Sequence, residues 1–301
     1  MKEAMLFGHK NVGPALSREL ESTDITSRYI VTSRVVRDSR LNPIAVHSDW
    51  RHYADKVDIG FIAIPSNDKG AAAEKYALHF LEQGKPVVSC EKGFPAYRWH
   101  TVNEYKDLFR YTASVGGATK MLKAIDEYDG PIEEIVAVAN GTLNFKSCRL
   151  AKGVTEDEIV AEILGLRYAE GESNTLRSII VKEMDDLCRK AVIMANRSGM
   201  FTEAVTPALV AAYFPTNETL YTKRAIVKIA KNAKEKIVVG YIENTDAPWL
   251  PDGVNNILYI NGEKRAYGPG AGPRETAQVM VEDAREVLQF LSTGKKVQVA
   301  V

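Results

Sequence analysis

The stretch that decides the fold is AMLFGHKNVG, residues 4–13, near the start of the chain. Its first four residues are apolar and predict a buried strand, and residues 14–20 continue as a helical pattern. Two glycines, Gly8 and Gly13, stand between the predicted strand and the predicted helix. A strand, a glycine turn and a helix in this order are typical of a turn that binds a dinucleotide.

Lys10 departs from the usual form of such a turn. A Rossmann-type turn uses three glycines: one for the bend, one for backbone approach to the pyrophosphate and one for packing of the helix on the strand. Lys10 occupies the middle position, so its charge would reach a phosphate where a glycine would allow close approach. The alternative is a turn that binds nothing. The predicted cofactor-binding residues here are Gly8, Lys10, Asn11, Val12 and Gly13.

A second predicted strand, residues 29–32, is followed by Ser33 and Arg34. NAD-binding proteins normally place a carboxylate here for the ribose hydroxyls. A serine and an arginine suit the 2′-phosphate of NADP instead, because a guanidinium pairs with phosphate in a forked geometry. The alternative is a solvated basic loop. The sequence therefore favours NADP, although NAD stays open.

The composition is that of a globular protein. With 301 residues, 45% of them hydrophobic, the chain can bury a full core and is expected to form two domains. Lys plus Arg and Asp plus Glu both number 39, so no net charge attracts nucleic acid or a membrane. Three cysteines, without metal-ligand spacing or an even disulfide set, indicate a reducing cytoplasm. We see no signal peptide and no apolar run near the roughly 18 residues of a membrane span.

Predicted strands alternate with predicted helices up to residue 90, which indicates an α/β domain with a doubly wound parallel sheet. Lys92 follows one of these strands. Ligands bind past the carboxyl ends of strands in open parallel sheets, so Lys92 is a candidate ligand contact; the alternative is an exposed lysine without a role. A small-residue stretch that begins at Thr112 predicts a domain boundary, with residues 1–111 and 273–301 on one side and residues 112–272 on the other.

Glycines are dense again in YGPGAGPRETA, residues 267–277, before a predicted amphipathic helix with apolar residues from Val279 to Leu291. Glycines at this density allow a backbone to lie close against a flat ligand. We therefore predict that Gly270 and Gly272 belong to a ligand-binding loop. A flexible linker is the alternative.

A further candidate pair lies in the predicted helix at residues 181–195. At about 100° per residue, Asp186 and Lys190 lie about 200° and 240° round from Met184, opposite the apolar face. Such a pair is usually a surface ion pair, and the residues alone favour that interpretation. If that face lines a cleft, Asp186 would orient the Lys190 amine, which could exchange a proton with a substrate oxygen.

Several of these segments together resemble the homoserine dehydrogenase family, in the family's order and over nearly the whole chain. They are residues 8–13, VVSCEKG at 87–93, ASVGG at 113–117, NGTLN at 140–144, YAE at 168–170, residues 186–190, and GPGAG at 268–272 with Thr276 and Ala277. The resemblance implies a Rossmann-type dinucleotide-binding domain and a second, α+β domain for substrate binding and dimerisation. It also implies a homodimer that interconverts L-homoserine and L-aspartate 4-semialdehyde with NAD(P), a step of threonine and methionine biosynthesis.

The resemblance also assigns roles to residues. It implies that Lys190 is the general acid and base, that Asp186 orients it, and that Lys92 donates to the reacting oxygen. Glu170 would bind the substrate ammonium, and Thr142 would close round the substrate with the loop of residues 270–272. Backbone carbonyls at Val115 and Gly117 correspond to a monovalent-cation site in some members.

The chain departs from the family at several positions. Thr112 and Thr119 replace a glutamate and a proline, and GESNTLR at 171–177 lacks the expected aspartate and proline of a substrate-holding segment. We expect no C-terminal regulatory domain of the kind that longer members carry, and no feedback control through one. Two alternatives therefore stay open. One is the same hydride chemistry on another small amino-acid aldehyde or alcohol, and the other is a non-catalytic NADP-binding protein.

Overall fold

A computed structural model of the protein describes residues 1–166, 168–169, 175–270 and 272–294. The chain divides into two compact units. Unit 1 comprises Met1–Ser114 and Pro273–Val301, and unit 2 comprises Val115–Gly272. No helix in the described ranges is long and apolar enough to cross a membrane.

Unit 1 alternates strands and helices. Its elements are β1 (Lys2–Phe7), α1 (Val12–Leu20), β2 (Ile25–Val31), β3 (Val35–Asp38), β4 (Pro43–Val46), α2 (Trp50–Ala54), β5 (Ile59–Ile62), α3 (Ala71–Leu81), β6 (Val87–Ser89), α4 (Gly93–Tyr97), α5 (Trp99–Glu104) and β7 (Phe109–Arg110), with the last helix of the chain (Pro273–Thr293) described below as α11.

The strands of unit 1 form one sheet in the order β4-β3-β2-β1-β5-β6-β7. Pairing is parallel from β2 to β7, with β1 near the centre, and this confirms the predicted Rossmann-type sheet. At one edge, β3 and β4 add antiparallel to β2, a hairpin that the sequence analysis did not predict.

Helices cover both faces of this sheet because side chains alternate along its strands. Leu6 of β1 packs in one apolar cluster with residues of α1 and α11. Phe7, the next residue, contacts the rings of Trp50, Tyr76 and Phe80 on the other face. The predicted apolar face of α11 ends before Leu291, which is 46% exposed.

Unit 2 contains a second sheet and its own helices. Its elements are α6 (Met121–Asp126), β8 (Glu134–Val138), α7 (Gly141–Ala151), α8 (Glu156–Gly165), α9 (Leu176–Arg197), β9 (Ala211–Tyr213), α10 (Thr219–Thr222), β10 (Lys223–Ala230), β11 (Ile237–Asn244), β12 (Asn255–Ile260) and β13 (Glu263–Pro269).

The sheet of unit 2 has the order β13-β12-β8-β10-β11-β9 and is antiparallel except where β9 joins β11. This is the predicted α+β unit. Two helix starts follow the rules of capping: Asn140 accepts a hydrogen bond from Leu143 N, and Thr155 with Glu158 forms a capping box at the start of α8.

The glycine-rich stretch of residues 267–272 differs from the predicted loop. Tyr267, Gly268 and Pro269 are the end of β13, where Gly268 pairs with Asn256 and Pro269 with Asn255. Gly270 and Gly272 lie outside the sheet, before α11 begins at Pro273. The strand continues because β12 supplies a hydrogen-bonding edge, which the local glycine pattern does not reveal.

Candidate functional site

The turn after β1 requires both of its glycines for its own geometry. Gly8 has a φ of 95°, and a Cβ there would lie 2.2 Å from the Ala63 carbonyl oxygen. A Cβ on Gly13 would lie 2.2 Å from the carbonyl oxygen of Gly8. Any side chain at either position would therefore open the turn.

Lys10 and Asn11 are exposed at the N-terminus of α1. Asn11 is the N-cap residue, but its side chain makes no capping hydrogen bond, and the first turn of α1 carries no acidic residue. Val12 is the first helical residue. Free N–H groups and the positive end of the helix dipole, next to a lysine, form a site suited to an anion.

Ser33 and Arg34 are exposed in the connection between β2 and β3. The backbone of this connection is fixed at both ends. Thr32 Oγ1 donates to the Val35 carbonyl at 3.1 Å, and His47 N donates to the Arg34 carbonyl at 3.0 Å. The Arg34 guanidinium forms no hydrogen bond or ion pair within the described ranges. A held backbone with an uncommitted guanidinium can pair with a phosphate.

Lys92 lies just past β6 and is half-buried. Its backbone N donates to Ser66 Oγ at 2.9 Å. Since β2, β1 and β6 run parallel in one sheet, the residues that follow them, Arg34, Gly8 and Lys92, lie along the same edge of that sheet. This is the edge at which open α/β sheets bind ligands.

A surface cleft of about 680 Å³ in unit 1 contains none of the predicted site residues. It is lined by Lys2, Asp58 and Lys85 among others, which lie at the amino ends of β1, β5 and β6. The cleft lies at the edge of the sheet opposite to the one where a nucleotide is expected. We therefore do not assign the cofactor to it, despite its size.

In unit 2, Lys190 is 7% exposed rather than on the surface. Its Nζ lies 2.8 Å from Asp186 Oδ2 and donates to the Ala139 carbonyl at 3.0 Å. The interpretation of Asp186 and Lys190 as a surface ion pair, which the helical pattern favoured, is therefore wrong. From Lys190 to Ala195 every residue of α9 is buried, because the helix is covered on all sides.

Asn140 joins this pair, and the sequence analysis did not assign it to the site. Its Nδ2 donates to Glu183 Oε2 at 2.7 Å and to Asp186 Oδ2 at 3.3 Å, while its Oδ1 caps α7. The end of β8, the start of α7 and the middle of α9 therefore meet in one polar cluster. The signal in the sequence was an Asn-Gly pair directly after a strand.

Thr142, also at the start of α7, is buried and donates its hydroxyl hydrogen to the Tyr168 carbonyl at 2.8 Å. Its oxygen keeps lone pairs that can accept from a ligand. Glu170, the predicted ligand of a substrate ammonium, lies outside the described residues, as do residues 171–174.

Gly270 lies directly against Asn256, since a Cβ would come within 2.1 Å of the Asn256 side-chain carboxamide. The glycine is thus needed for contact with the protein itself. Gly272 has a φ of 138°, a conformation that favours glycine.

Val115 is fully buried, and Gly117 has a φ of 52° with its carbonyl accepting from Lys120 N at 3.1 Å. Thr119 Oγ1 lies 3.0 Å from the Gly268 carbonyl and 3.1 Å from the Pro269 carbonyl. Among the described residues no group of His, Cys, Asp or Glu could hold a metal ion, so a cation here would depend on backbone oxygens.

Lys146 of α7 is a buried polar residue that the sequence analysis missed. It is 1% exposed, and its Nζ lies 4.5 Å from the centroid of the Tyr241 ring without a hydrogen-bond partner in the described part of the chain. Burial lowers the pKa of Lys146 to about 7. A buried lysine within a helix of mixed composition does not stand out in the helical periodicity of the sequence, so the pattern could not reveal it.

Together these features define a two-unit protein with a Rossmann-type sheet and a separate α+β unit that carries a buried lysine and carboxylate pair. Its sequence is similar to two curated homoserine dehydrogenases. That of Pseudomonas aeruginosa is 24% identical over 247 residues, 73% of this chain, and that of Bacillus subtilis is 26% identical over 248 residues, also 73%. The match covers 55% of either relative's length. No protein-family model matches the chain.

Solved structures give the same resemblance at the level of the fold. A homoserine dehydrogenase from Thermoplasma acidophilum superposes with a TM-score of 0.74 at 19% identity, covering 97% of this chain and 99% of that one. A hyperthermophilic archaeal homoserine dehydrogenase in complex with NADPH gives 0.77 at 19% identity, covering 96% and 98%. The resemblance predicted from the motifs is therefore confirmed.

Proposed function

We propose that this protein is an NADP-linked oxidoreductase that interconverts L-homoserine and L-aspartate 4-semialdehyde. The observation that carries the proposal is the way in which the buried amine of Lys190 is held. Its Nζ forms an ion pair with Asp186 at 2.8 Å and donates to the Ala139 carbonyl at 3.0 Å, and an ammonium group has three N–H donors. A lysine held in this way can donate to a substrate oxygen, and the similarity to homoserine dehydrogenases supports that substrate class.

The phosphate groups of the nucleotide are assigned to unit 1. The N-terminus of α1 with Gly8, Lys10, Asn11, Val12 and Gly13 suits a pyrophosphate, and Ser33 with Arg34 suits the 2′-phosphate of NADP. When bound, the nicotinamide of NADP would be the hydride acceptor for the oxidation. Gly270 and Gly272 complete the proposed set of cofactor-binding residues.

The amino-acid substrate is assigned to residues of unit 2. In the neutral form, the Lys190 amine takes the proton of the alcohol as it is oxidised, and the resulting ammonium returns a proton to the carbonyl oxygen in the reverse direction. Asp186, at 2.8 Å, orients the Lys190 ammonium and balances its charge, and Asn140 holds Asp186 in turn. Glu170 and Thr142 are the proposed substrate-binding residues.

Lys92 is proposed as a second donor to the reacting oxygen. An oxygen that gains negative charge during the reaction is stabilised by a positioned ammonium group, and such interactions supply much of the acceleration by enzymes. A protonated lysine has three N–H donors, so Lys92 can also donate a proton to this oxygen.

We further propose a homodimer that acts in the cytoplasm and a monovalent cation held by the backbone oxygens of Val115 and Gly117. The homodimer and the cation rest on the resemblance, and the cytoplasmic location rests on the three free cysteines.

The test is nicotinamide absorbance with purified protein and L-homoserine, with NADP and NAD in parallel from neutral to alkaline pH. Reduction of NADP at lower concentration than NAD is the expected result. Turnover of another small amino alcohol, with none of homoserine, would assign the chemistry to a different substrate and would fit the altered segment after Glu170. NADP binding without turnover of any alcohol would contradict the enzymatic function.

A further inference from the structure

Ser33 and Arg34, the two proposed contacts to the 2′-phosphate of NADP, form the tip of a tight hairpin. Strands β2 and β3 pair antiparallel, and Thr32 N donates to the Val35 carbonyl at 2.9 Å, which leaves a loop of two residues. Two-residue loops normally use a positive φ at one or both positions, because this matches the twist of the strands. The residues with positive φ in the described ranges include neither Ser33 nor Arg34, so this loop depends on other contacts for its shape.

His47, directly after β4, supplies two of these contacts, and the sequence analysis assigned no role to it. Its backbone N donates to the Arg34 carbonyl at 3.0 Å, and its ring Nδ1 lies 2.7 Å from the Thr32 carbonyl oxygen. In a β-turn the carbonyl of the first residue often accepts from the N–H three residues on, but here Val35 N donates to Thr32 Oγ1 at 3.2 Å. The imidazole therefore bonds to the carbonyl that the turn leaves open, and the two bonds of His47 enclose Ser33 and Arg34.

The tautomer of the His47 ring follows from its two neighbours. A carbonyl oxygen can only accept, so Nδ1 carries a hydrogen, and in the neutral imidazole Nε2 then keeps its lone pair. The hydroxyl of Tyr76 in α3 lies 3.3 Å from this Nε2, in position to donate to it. Burial raises the pKa of Tyr76, so the phenol keeps its hydrogen. The Tyr76 ring is stacked on Phe7, with centroids 4.1 Å apart, and meets Trp50 edge-on at 5.1 Å, so packing fixes the far end of this hydrogen-bond series.

We propose that His47 is a positioning residue that sets the preference for NADP over NAD. Its ring holds the loop of Ser33 and Arg34 in the conformation in which the guanidinium pairs with the 2′-phosphate. A loop that is ordered before binding saves the entropy cost of ordering it in the complex. Because NAD lacks this phosphate, loss of the His47 ring should weaken NADP alone. The inference rests on the proposed function for its cofactor, but it concerns binding and needs no hydride transfer.

The test is fluorescence titration of the purified protein with NADP and with NAD. In His47→Leu we expect the Kd for NADP to rise about fivefold and the Kd for NAD to change by less than about twofold. His47→Asn should bind NADP within about twofold of the wild type, since its Nδ2 lies as many bonds from the backbone as Nδ1 and can donate to the Thr32 carbonyl. His100→Leu, at an exposed histidine of the same unit, is the matched control. An unchanged Kd for NADP in His47→Leu, or equal weakening of both nucleotides, would overturn the proposal.

A double-mutant cycle separates positioning of Arg34 from a general structural role. If His47 acts through Arg34, the variant with both His47→Leu and Arg34→Ala should bind NADP at most about twofold more weakly than Arg34→Ala alone. Additive losses would mean that His47 affects NADP by another route and would overturn the proposal. If His47→Leu does not fold, as judged by circular dichroism, His47→Gln replaces it, because its amide nitrogen reaches the position of Nε2 rather than that of Nδ1. The same outcomes then decide.

Failure of the proposed function would give a different result. A wild type that prefers NADP but oxidises no homoserine would refute that function, while the variants of His47 would still decide this inference by binding alone. A wild type that binds NADP and NAD equally would refute both the cofactor assignment and the role of His47. Nitrogen NMR of labelled histidine rings adds a check that needs no nucleotide: we expect the hydrogen of the neutral His47 ring on Nδ1, and a hydrogen on Nε2 alone would overturn the proposal.

Discussion

The candidate residues of the two units differ in how they are held. In unit 1, Lys10, Asn11, Ser33 and Arg34 are exposed side chains on connections that follow parallel strands. In unit 2, Lys190 is buried and bonded to Asp186 and to the Ala139 carbonyl. The first arrangement suits a large charged ligand that brings its own counter-charge, whereas the second suits a proton transfer that needs a fixed donor away from water.

The difference also shows in what each unit buries. Unit 1 buries a carboxylic acid, Asp283 of α11, whose Oδ2 accepts from Thr112 N at 3.0 Å. Unit 2 buries an amine, Lys146, beneath the Tyr241 ring. Burial disfavours the charged form of both groups, so the pKa of Asp283 rises to about 7 while that of Lys146 falls to about 7. These two groups should therefore make the stability depend on pH in opposite directions.

The strongest test of the comparison is Lys190→Ala. If the buried amine transfers the substrate proton, kcat should fall by about a thousandfold while the Kd for NADP changes little, since the phosphate groups of the nucleotide are assigned to unit 1. Steady-state kinetics and isothermal titration calorimetry measure the two quantities. Lys182→Ala, at an exposed lysine of the same helix, is the matched control. Unchanged turnover in Lys190→Ala would remove Lys190 from the mechanism.

Lys146→Met tests the buried amine of unit 2. The unfolded chain binds a proton at Lys146 up to its ordinary pKa of 10.5, whereas the folded protein releases it above about 7, so stability should rise with pH between these values. Methionine removes the free-energy cost of losing this proton on folding. At pH 7 we expect the free energy of unfolding to increase by about 3 kcal/mol, and this gain should shrink towards pH 10. Urea unfolding followed by the fluorescence of Trp249, the one tryptophan of unit 2, measures it. The exposed Lys152→Met should show no such dependence, and a destabilised Lys146→Met would refute the argument.

Asp283→Asn should show the opposite pH dependence in unit 1. The folded protein keeps the proton of Asp283 up to about pH 7, whereas the unfolded chain loses it near 3.8, so stability falls as pH rises across this window. Asparagine can still accept from Thr112 N, and we expect a gain of about 2 kcal/mol at pH 8 that disappears near pH 4. Unfolding followed by Trp50 and Trp99 fluorescence, with the exposed Asp107→Asn as control, measures this gain. A gain that is independent of pH would mean that Asp283 is charged in the folded protein.

The smallest expected effect belongs to Arg34→Ala. Loss of a forked contact to the 2′-phosphate should weaken NADP binding about tenfold and leave NAD binding unchanged. Fluorescence titration with both nucleotides measures the difference, and Arg40→Ala tests whether any nearby positive charge has the same effect. Equal weakening of NADP and NAD would show that Arg34 does not contact the 2′-phosphate.

Local patterns were sufficient where a structural feature depends on neighbours in sequence. The glycine turn after β1, the caps of α7 and α8 and the alternation of strands and helices in unit 1 all follow from short stretches. The hairpin β3-β4 was missed because its four-residue strands carry no clear alternation. Tyr267, Gly268 and Pro269 were assigned to a loop because their glycine content outweighed a pairing partner that lies elsewhere in the sequence.

The sequence by itself determined the Rossmann-type sheet of unit 1, the order of the turns that follow its strands and the resemblance to homoserine dehydrogenases, since these depend on motifs whose residues are adjacent or regularly spaced. The tertiary structure alone decided that Lys190, Lys146, Glu91 and Asp283 are buried. Helical periodicity shows which residues share a face, but whether that face meets solvent depends on elements far away in the chain. The shifted pKa values of Lys146 and Asp283 follow from that burial, and so they could not be predicted from the sequence.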